Sequence, residues 1–393
     1  MLPKRWANAV CALALAVMAM PASVAAGPAI VIEADSGRVL HHEQAFELWS
    51  PASLTKLMTA YVTFRAIEAG ELDMRAPVVM SANAAANPPS KMGYRVGASM
   101  TVDNALKMVI IRSANDVAVA LGEAVAGSEA AFVARMNAQA ERLGMTDTNF
   151  VNPHGLHDPD QYSTARDFAI LARAIRTQYP EHARYFAAEA IRTGDRVTAS
   201  YNLLLGRFEG ADGMKTGFVC ASGFNLAASA TRDGRTLISV VMGTASQKER
   251  AEVSARLLEQ GFAAPAPADA PTLASLSGPP DADGRPADLR DTVCTAEARA
   301  ARWDGRTIEG YIAFDTPLIK ELTREPVAVA AGLGGATGQS RAGFVLAGTV
   351  VTELPLPKLR PEREAVADQA DLDRYRLRPG FEVPVPRPRP ESG

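Results

Sequence analysis

The chain of 393 residues holds only three cysteines, Cys11, Cys220 and Cys294, and five histidines. Its formal net charge is -3, and no basic stretch is interleaved with aromatics. Nothing in that balance points to nucleic acid. Internal repeats are absent. Beyond the N-terminus no segment approaches twenty apolar residues, so a mature chain is not expected to span a bilayer. His154, His157 and Asp158 are the one group that could look like metal ligands, but they lie in a loop rather than on a helix face, and no third cluster follows. No metal and no cofactor is expected.

The N-terminus is informative. Lys4 and Arg5 precede an apolar run from Ala7 to Met20, short for a spanning helix, which Pro21 breaks before the small residues Ser23, Ala25 and Ala26. Residues 1–26 read as a secretory signal, the alternative being an uncleaved anchor. Export removes Cys11 and leaves Cys220 and Cys294, an even pair in an oxidising compartment, which favours one disulfide.

Along the mature chain, Ala29 to Glu33 and Arg38 to His42 read as strands around the turn Asp35-Ser36-Gly37. Helical patterns run over Ser53–Gly70, Val102–Val109, Asp116–Ala126 and Glu129–Leu143. A Pro-, Gly- and Asp-rich loop follows, and Thr164 is placed to cap a helix through Ile175. From Met214 the period changes to that of strands, Phe224–Ala230 and Thr236–Met242, around the hairpin signal Asp233-Gly234. Ser246–Gly261 then reads as a helix. Strands at both ends and helices between them imply an α+β unit with one mostly antiparallel sheet, built from terminal hairpins with helices on its faces. Residues 263–287 read as a Pro/Ala/Gly-rich linker with nothing to bury, 288–353 as a small, poorly defined C-terminal region, and 354–393 as a proline-rich tail expected to be extended or disordered.

Three short motifs stand in order: Ser53-Leu-Thr-Lys56, Ser113-Ala-Asn115 and Lys215-Thr216-Gly217. Singly, each has a plain structural reading, as a helix cap, a turn and a solvated strand end. Together, with the first opening a helix, the second in a break between helices and the third opening a strand, they resemble the penicillin-recognising serine acyl enzymes. More narrowly, SPASLTKLMTAYV, IIRSANDVAVALGEAVAGS, FVNPHGLHDPDQYSTARD, DGMKTGF and SGFNLAASATRDGRTLISVVMG are similar to the D-alanyl-D-alanine carboxypeptidases, the low-molecular-mass penicillin-binding proteins of peptidase family S11. The likeness runs from about Gly27 to Phe262 and implies a β-lactamase/transpeptidase-like fold.

Elementary chemistry supports the residue types. A serine hydroxyl needs a base in contact, and Lys56, three residues on, shares its helix face. A lysine serves as a base only when neutral; burial and a second cation, here Lys215, both favour that form. Ser53 in a first helical turn can also aim its own N–H at an oxyanion. The resemblance implies further roles. The N–H of Phe218, just after Gly217, is the second oxyanion donor. Ser113 relays protons and Asn115 holds substrate and Lys56. Thr216 and Arg250 bind the terminal carboxylate, for which a planar guanidinium is suited. Arg250 has a plainer reading as a surface helix arginine.

What the resemblance implies is removal of the terminal D-alanine from peptidoglycan stem pentapeptides through a Ser53 acyl-enzyme, with β-lactams as covalent inhibitors, by an exported, periplasmic protein. Cleavage of cross-links by a D,D-endopeptidase is the near alternative. A β-lactamase is disfavoured because no E-x-x-L-N segment lies between Asn115 and Lys215. A wall-binding protein with a relic site is disfavoured by the complete motif set. Two departures from the family pattern stand out. Ser200 occupies a position where members often carry a basic residue, and the C-terminus has no apolar helical face for a membrane surface. Cys220, beside the third motif, lacks the base pattern of a thiol enzyme. It reads as half of a Cys220–Cys294 disulfide that folds the C-terminal region against the catalytic face, with a buried core thiol as the alternative.

Overall fold

The computed structural model describes residues 27–278, 284–304, 312–338, 344–346 and 349–351. The signal expected over 1–26 and the tail expected over 354–393 lie outside them.

Five strands form the main sheet: β1 (Ala29–Glu33), β2 (Val39–Glu43), β3 (Ala211–Val219), β4 (Gly223–Arg232) and β5 (Arg235–Thr244), in the order β2-β1-β5-β4-β3. Every neighbouring pair is antiparallel. The first and last segments of the unit thus meet at the sheet centre, where β1 pairs with β5. Both faces are covered, and the two-residue period of a strand sorts side chains between them. On β4 and β5, Leu226, Ala228, Ala230 and Leu237 join one core cluster, whereas Ala227, Ile238, Val240 and Met242 join the other.

Seven helices matter here: α1 (Lys56–Glu68), α2 (Val102–Ile111), α3 (Asn115–Ala126), α4 (Glu129–Leu143), α5 (Ala165–Gln178), α6 (Gln247–Ala263) and α7 (Ala296–Asp304). Helix α6 packs Ala251, Ala255 and Leu258 on the first face, and the larger core with α1, α3 and α5 covers the second. Helix α3 is buried almost all round, as an apolar helix in a core should be. Its two polar residues at the start, Asn115 and Asp116, are buried too and need partners. Side-chain caps begin α4, α5 and α6: Ser128, Thr164 and Ser246 each accept an N–H three residues on.

The helix expected from Ser53 is divided. Residues Ala52–Thr55 form a 3-10 turn, and the α-helix begins only at Lys56. Pro51 and a left-handed Ala52 (φ 48°) set this tighter entry.

The stretch expected to bury nothing buries Leu273 and Leu276 in the main core, and Leu273 N–H donates to Gly37 O at 2.9 Å. Two leucines three residues apart supply an apolar anchor that the high proline and alanine content hides. Further on, Ile319 is buried in the α6 core, and Ala328–Ala330 pairs in parallel with the strand Ala190–Thr193. Arg324 forms a two-pronged contact with Glu189 at 2.7 and 2.6 Å. These described residues therefore lie along the same unit as the sheet. Among the described residues no single helix is long and apolar enough to cross a membrane.

Cys220 and Cys294 are disulfide-bonded, with Cα atoms 5.6 Å apart and a sequence separation of 74. The bridge holds the start of α7 near the end of β3, and Arg302 of α7 lies over the Phe224 ring at 5.4 Å. Closing a loop of that length removes unfolded-chain entropy worth about 4 kcal/mol as an upper figure. Converting both cysteines to alanine should lower stability by about 2–3 kcal/mol, read as a fall in melting temperature under non-reducing conditions. An unchanged melting temperature would show that the bridge does not hold this segment.

Candidate active site

The 3-10 turn that carries Ser53 is clamped from several sides. Asn225 of β4 donates to Ser50 O at 3.1 Å and Pro51 O at 3.3 Å, and accepts the Gly243 N–H at 3.0 Å. Trp49 Nε1–H donates to Ser222 O at 2.8 Å. Two glycines allow the close approach. A side chain at Gly155 would meet Ala52 O at 1.8 Å, and one at Gly217 would meet Pro51 O at 2.9 Å and Ser53 N at 3.1 Å. Glycine at 217 thus lets β3 run directly against the backbone of Ser53.

Behind the serine, Lys56 is fully buried. Its Nζ lies 2.9 Å from Ser53 Oγ, 2.8 Å from Asn115 Oδ1 and 2.5 Å from His154 O. Burial first, and the Lys215 cation second, push Lys56 far below an ordinary lysine; Asp116 pulls the other way. A neutral amine has two N–H donors and one lone pair. Asn115 Oδ1 and His154 O, which can only accept, take the two N–H groups. The lone pair is left for the Ser53 hydroxyl. A buried neutral amine in contact with a hydroxyl is an arrangement able to generate an oxygen nucleophile.

Asn115 is itself fixed. Its Nδ2–H donates to Pro88 O at 3.0 Å, and its backbone N–H donates to Ser90 O at 2.7 Å. Ser113 sits in the break between α2 and α3 in the left-handed region (φ 60°) and is buried. Beside them, Asp116 accepts the backbone N–H groups of Met92 at 3.0 Å, Gly93 at 2.9 Å and Val117 at 2.9 Å. Asp116 was missed in the sequence, where it reads as an ordinary acidic residue in a first helical turn.

On β3, Lys215 is buried and donates to Thr216 O at 2.9 Å. Burial, and then Arg250, push it down to about 7. Arg250 is 3% exposed, which removes the plain surface reading. It donates to Tyr201 O at 3.0 Å and Gly217 O at 3.3 Å, and lies over the Phe224 ring at 5.6 Å. Burial pushes it down to about 9, which leaves it cationic at neutral pH. Among the described residues no acidic side chain pairs with it, so a buried positive charge faces the site without a counter-charge.

Ser53, Ser113, Asn115, Thr216, Gly217, Phe218 and Arg250 line one cleft of about 450 Å³, with Lys56 and Lys215 buried beside it. The three motifs, separated by up to 162 residues, meet there. Phe218 is 40% exposed and stacks on Phe224 with ring centroids 4.1 Å apart. His154 contributes its backbone carbonyl rather than its ring: Nδ1 accepts the Leu156 N–H at 3.1 Å, and burial, with the Lys56 amine close by, lowers the imidazole to about 3. Asn225, the residue that clamps the serine turn, was also missed. Its signal was a lone amide near the start of a strand whose first half is otherwise apolar.

An antiparallel sheet with helices on both faces and a serine–lysine pair at a helix start beside an edge strand define the penicillin-binding-protein class of fold. Solved structures agree. The chain resembles penicillin binding protein 5 from Haemophilus influenzae, with TM-score 0.59 and 36% identity over 62% of this chain and 72% of that one. It also resembles Penicillin-Binding Protein D2 from Listeria monocytogenes in its cefotaxime-bound form, with TM-score 0.55 and 30% identity over 60% of this chain and 97% of that one. The chain belongs to the Peptidase S11 family of D-alanyl-D-alanine carboxypeptidases, whose family profile matches residues 15–246. D-alanyl-D-alanine carboxypeptidase DacC of Escherichia coli is 39% identical over 251 residues, covering 61% of this chain and 62% of that protein. DacF of Bacillus subtilis is 34% identical over 239 residues, covering 60% and 61%. The chain therefore spans about three fifths of the length of these relatives.

Proposed function

We propose that this protein is an exported serine-type D-alanyl-D-alanine carboxypeptidase of the cell wall. Ser53 attacks the penultimate D-Ala carbonyl of a peptidoglycan stem pentapeptide and its proton passes to Lys56. The backbone N–H groups of Ser53 and Phe218 hold the oxyanion. Ser113 relays a proton to the leaving amine, D-alanine departs, and water releases the shortened peptide from Ser53. Asn115 positions Lys56 and the substrate, Lys215 holds the site positive, and Thr216 and Arg250 receive the terminal carboxylate. β-Lactams acylate the same serine. No step calls for a metal or cofactor.

The observation that carries this reading is the hydrogen-bond set of Lys56, which fits a neutral amine whose lone pair faces Ser53. Arg250, buried and without an ion-pair partner among the described residues, supports an anionic substrate end. The N-terminal sequence and the disulfide suit an exported protein, and a periplasmic location follows from where stem peptides lie. Mass analysis of products from a stem pentapeptide and from a cross-linked dimer tests the reaction. Loss of one alanine from the pentapeptide with the dimer left intact is expected. Cleavage of the dimer alone would make the protein an endopeptidase.

A further inference from the structure

A second cleft, of about 470 Å³, opens beside the first, and Arg112 lines both. Its wall carries three cations, Lys91, Arg112 and Arg196, together with the hydroxyls of Thr193 and Thr198, and no acidic side chain. Among the described residues none of the three cations forms an ion pair. Like charges gathered in a concave surface repel one another and raise the local concentration of anions.

Arg112 is aimed rather than free. Its guanidinium donates to Ser90 Oγ at 3.0 Å and to the Tyr201 hydroxyl, and lies 5.7 Å from the Tyr201 ring centroid. Tyr201 is shared: its backbone carbonyl accepts from Arg250 while its hydroxyl accepts from Arg112. One tyrosine therefore links the cation of the first cleft to the cations of the second. Arg112, from another part of the chain, thus brings a positive charge to Tyr201, next to Ser200. Residues 331–333 complete the wall and lie beyond the segment matched by the family profile, 15–246.

We infer that this second cleft binds a carboxylate carried by the peptide substrate on a residue preceding the D-Ala-D-Ala end, while Arg250 takes the terminal carboxylate. The inference rests on the proposed function. Two carboxylates of one ligand would engage two cationic sites joined through Tyr201, and a peptide amidated at the upstream position would lose the second. Three donors of positive charge suit a carboxylate, to which an arginine offers paired N–H groups.

Two synthetic peptides test this. Both end in D-Ala-D-Ala and differ only in a free carboxylate or its neutral amide on an upstream residue. Their binding is measured by calorimetry on the full-length Ser53→Ala protein, which cannot turn them over. The carboxylate form is expected to bind about 10-fold more tightly at low salt. That preference should fall below about 2-fold when Lys91→Gln and Arg196→Gln are added, at unchanged melting temperature. Equal affinities, a preference that survives both substitutions, or no binding of either peptide would each overturn the inference. Released D-alanine is assayed separately with the unmodified protein, so failure of the proposed reaction would show there and not in the binding comparison.

Discussion

Replacing Ser53 with alanine is expected to abolish the covalent penicillin adduct that the proposed function implies, and replacing Lys56 with methionine is expected to slow its formation by about ten-thousand-fold. The reason is geometric. Lys56 Nζ lies 2.9 Å from Ser53 Oγ, and its other two contacts are acceptors, so in its neutral form the amine turns its lone pair to the serine. Without the lysine the hydroxyl keeps its proton and remains a weak nucleophile. Lys56→Arg should not restore the rate, because a guanidinium stays protonated and offers no acceptor. The Ser53→Ala, Lys56→Met double variant should be no worse than Ser53→Ala, since the two residues act as one unit. Adduct formation with a fluorescent penicillin, followed in time on a gel, reads all four proteins. A Lys56→Met protein acylating within ten-fold of the parent would remove Lys56 from the role of base.

The second large effect separates activity from stability. Lys215→Met is expected to lower the acylation rate by about a thousand-fold and at the same time to stabilise the protein. Lys215 is buried beside two other basic groups, Lys56 and Arg250, and among the described residues its amine donates one hydrogen bond, to Thr216 O. Its value falls from an ordinary 10.5 to about 7 on folding. The unfolded chain therefore binds more protons than the folded one between about pH 7 and 10.5, and parent stability rises with pH across that window. Below pH 7 the cost of burying the amine is fully present. Methionine removes it, so the variant should gain about 2 kcal/mol or more at pH 6, and that gain should shrink as pH rises from 7 toward 10. Denaturant unfolding at pH 6 and pH 9 measures both values. A variant less stable than the parent at pH 6 would show that the lysine is not held at such a cost.

Legibility differed from residue to residue. Thr164 was readable as a helix cap because a cap depends on neighbours within one turn. The hairpin at Asp233-Gly234 was readable for the same reason, and it joins β4 to β5. The 3-10 turn under Ser53 was not, since its left-handed Ala52 is held in place by Gly155, Gly217 and Asn225, which reach it from distant parts of the chain. Nor were Leu273 and Leu276 readable as core residues, because composition registers what a stretch is rich in and not what it can touch.

The sequence by itself determined which chemical groups exist and the order in which they come: a serine with a lysine one turn on, a Ser-x-Asn break, a Lys-Thr-Gly strand and an even pair of exported cysteines. These are properties of residue type and local spacing, which short-range sterics and hydrogen bonding translate into turns, caps and strands; export of the cysteine pair stays part of the proposed function. The tertiary structure decided the state of those groups. Lys56 is pushed far below an ordinary lysine because the packed core withdraws water and brings Lys215 near, Arg250 of buried α6 faces the cleft with no ion-pair partner among the described residues, and Arg112 reaches Tyr201 across 89 residues of chain. Burial, charge pairing and proton affinity depend on the whole surroundings of a group, and those surroundings exist only once distant segments have met.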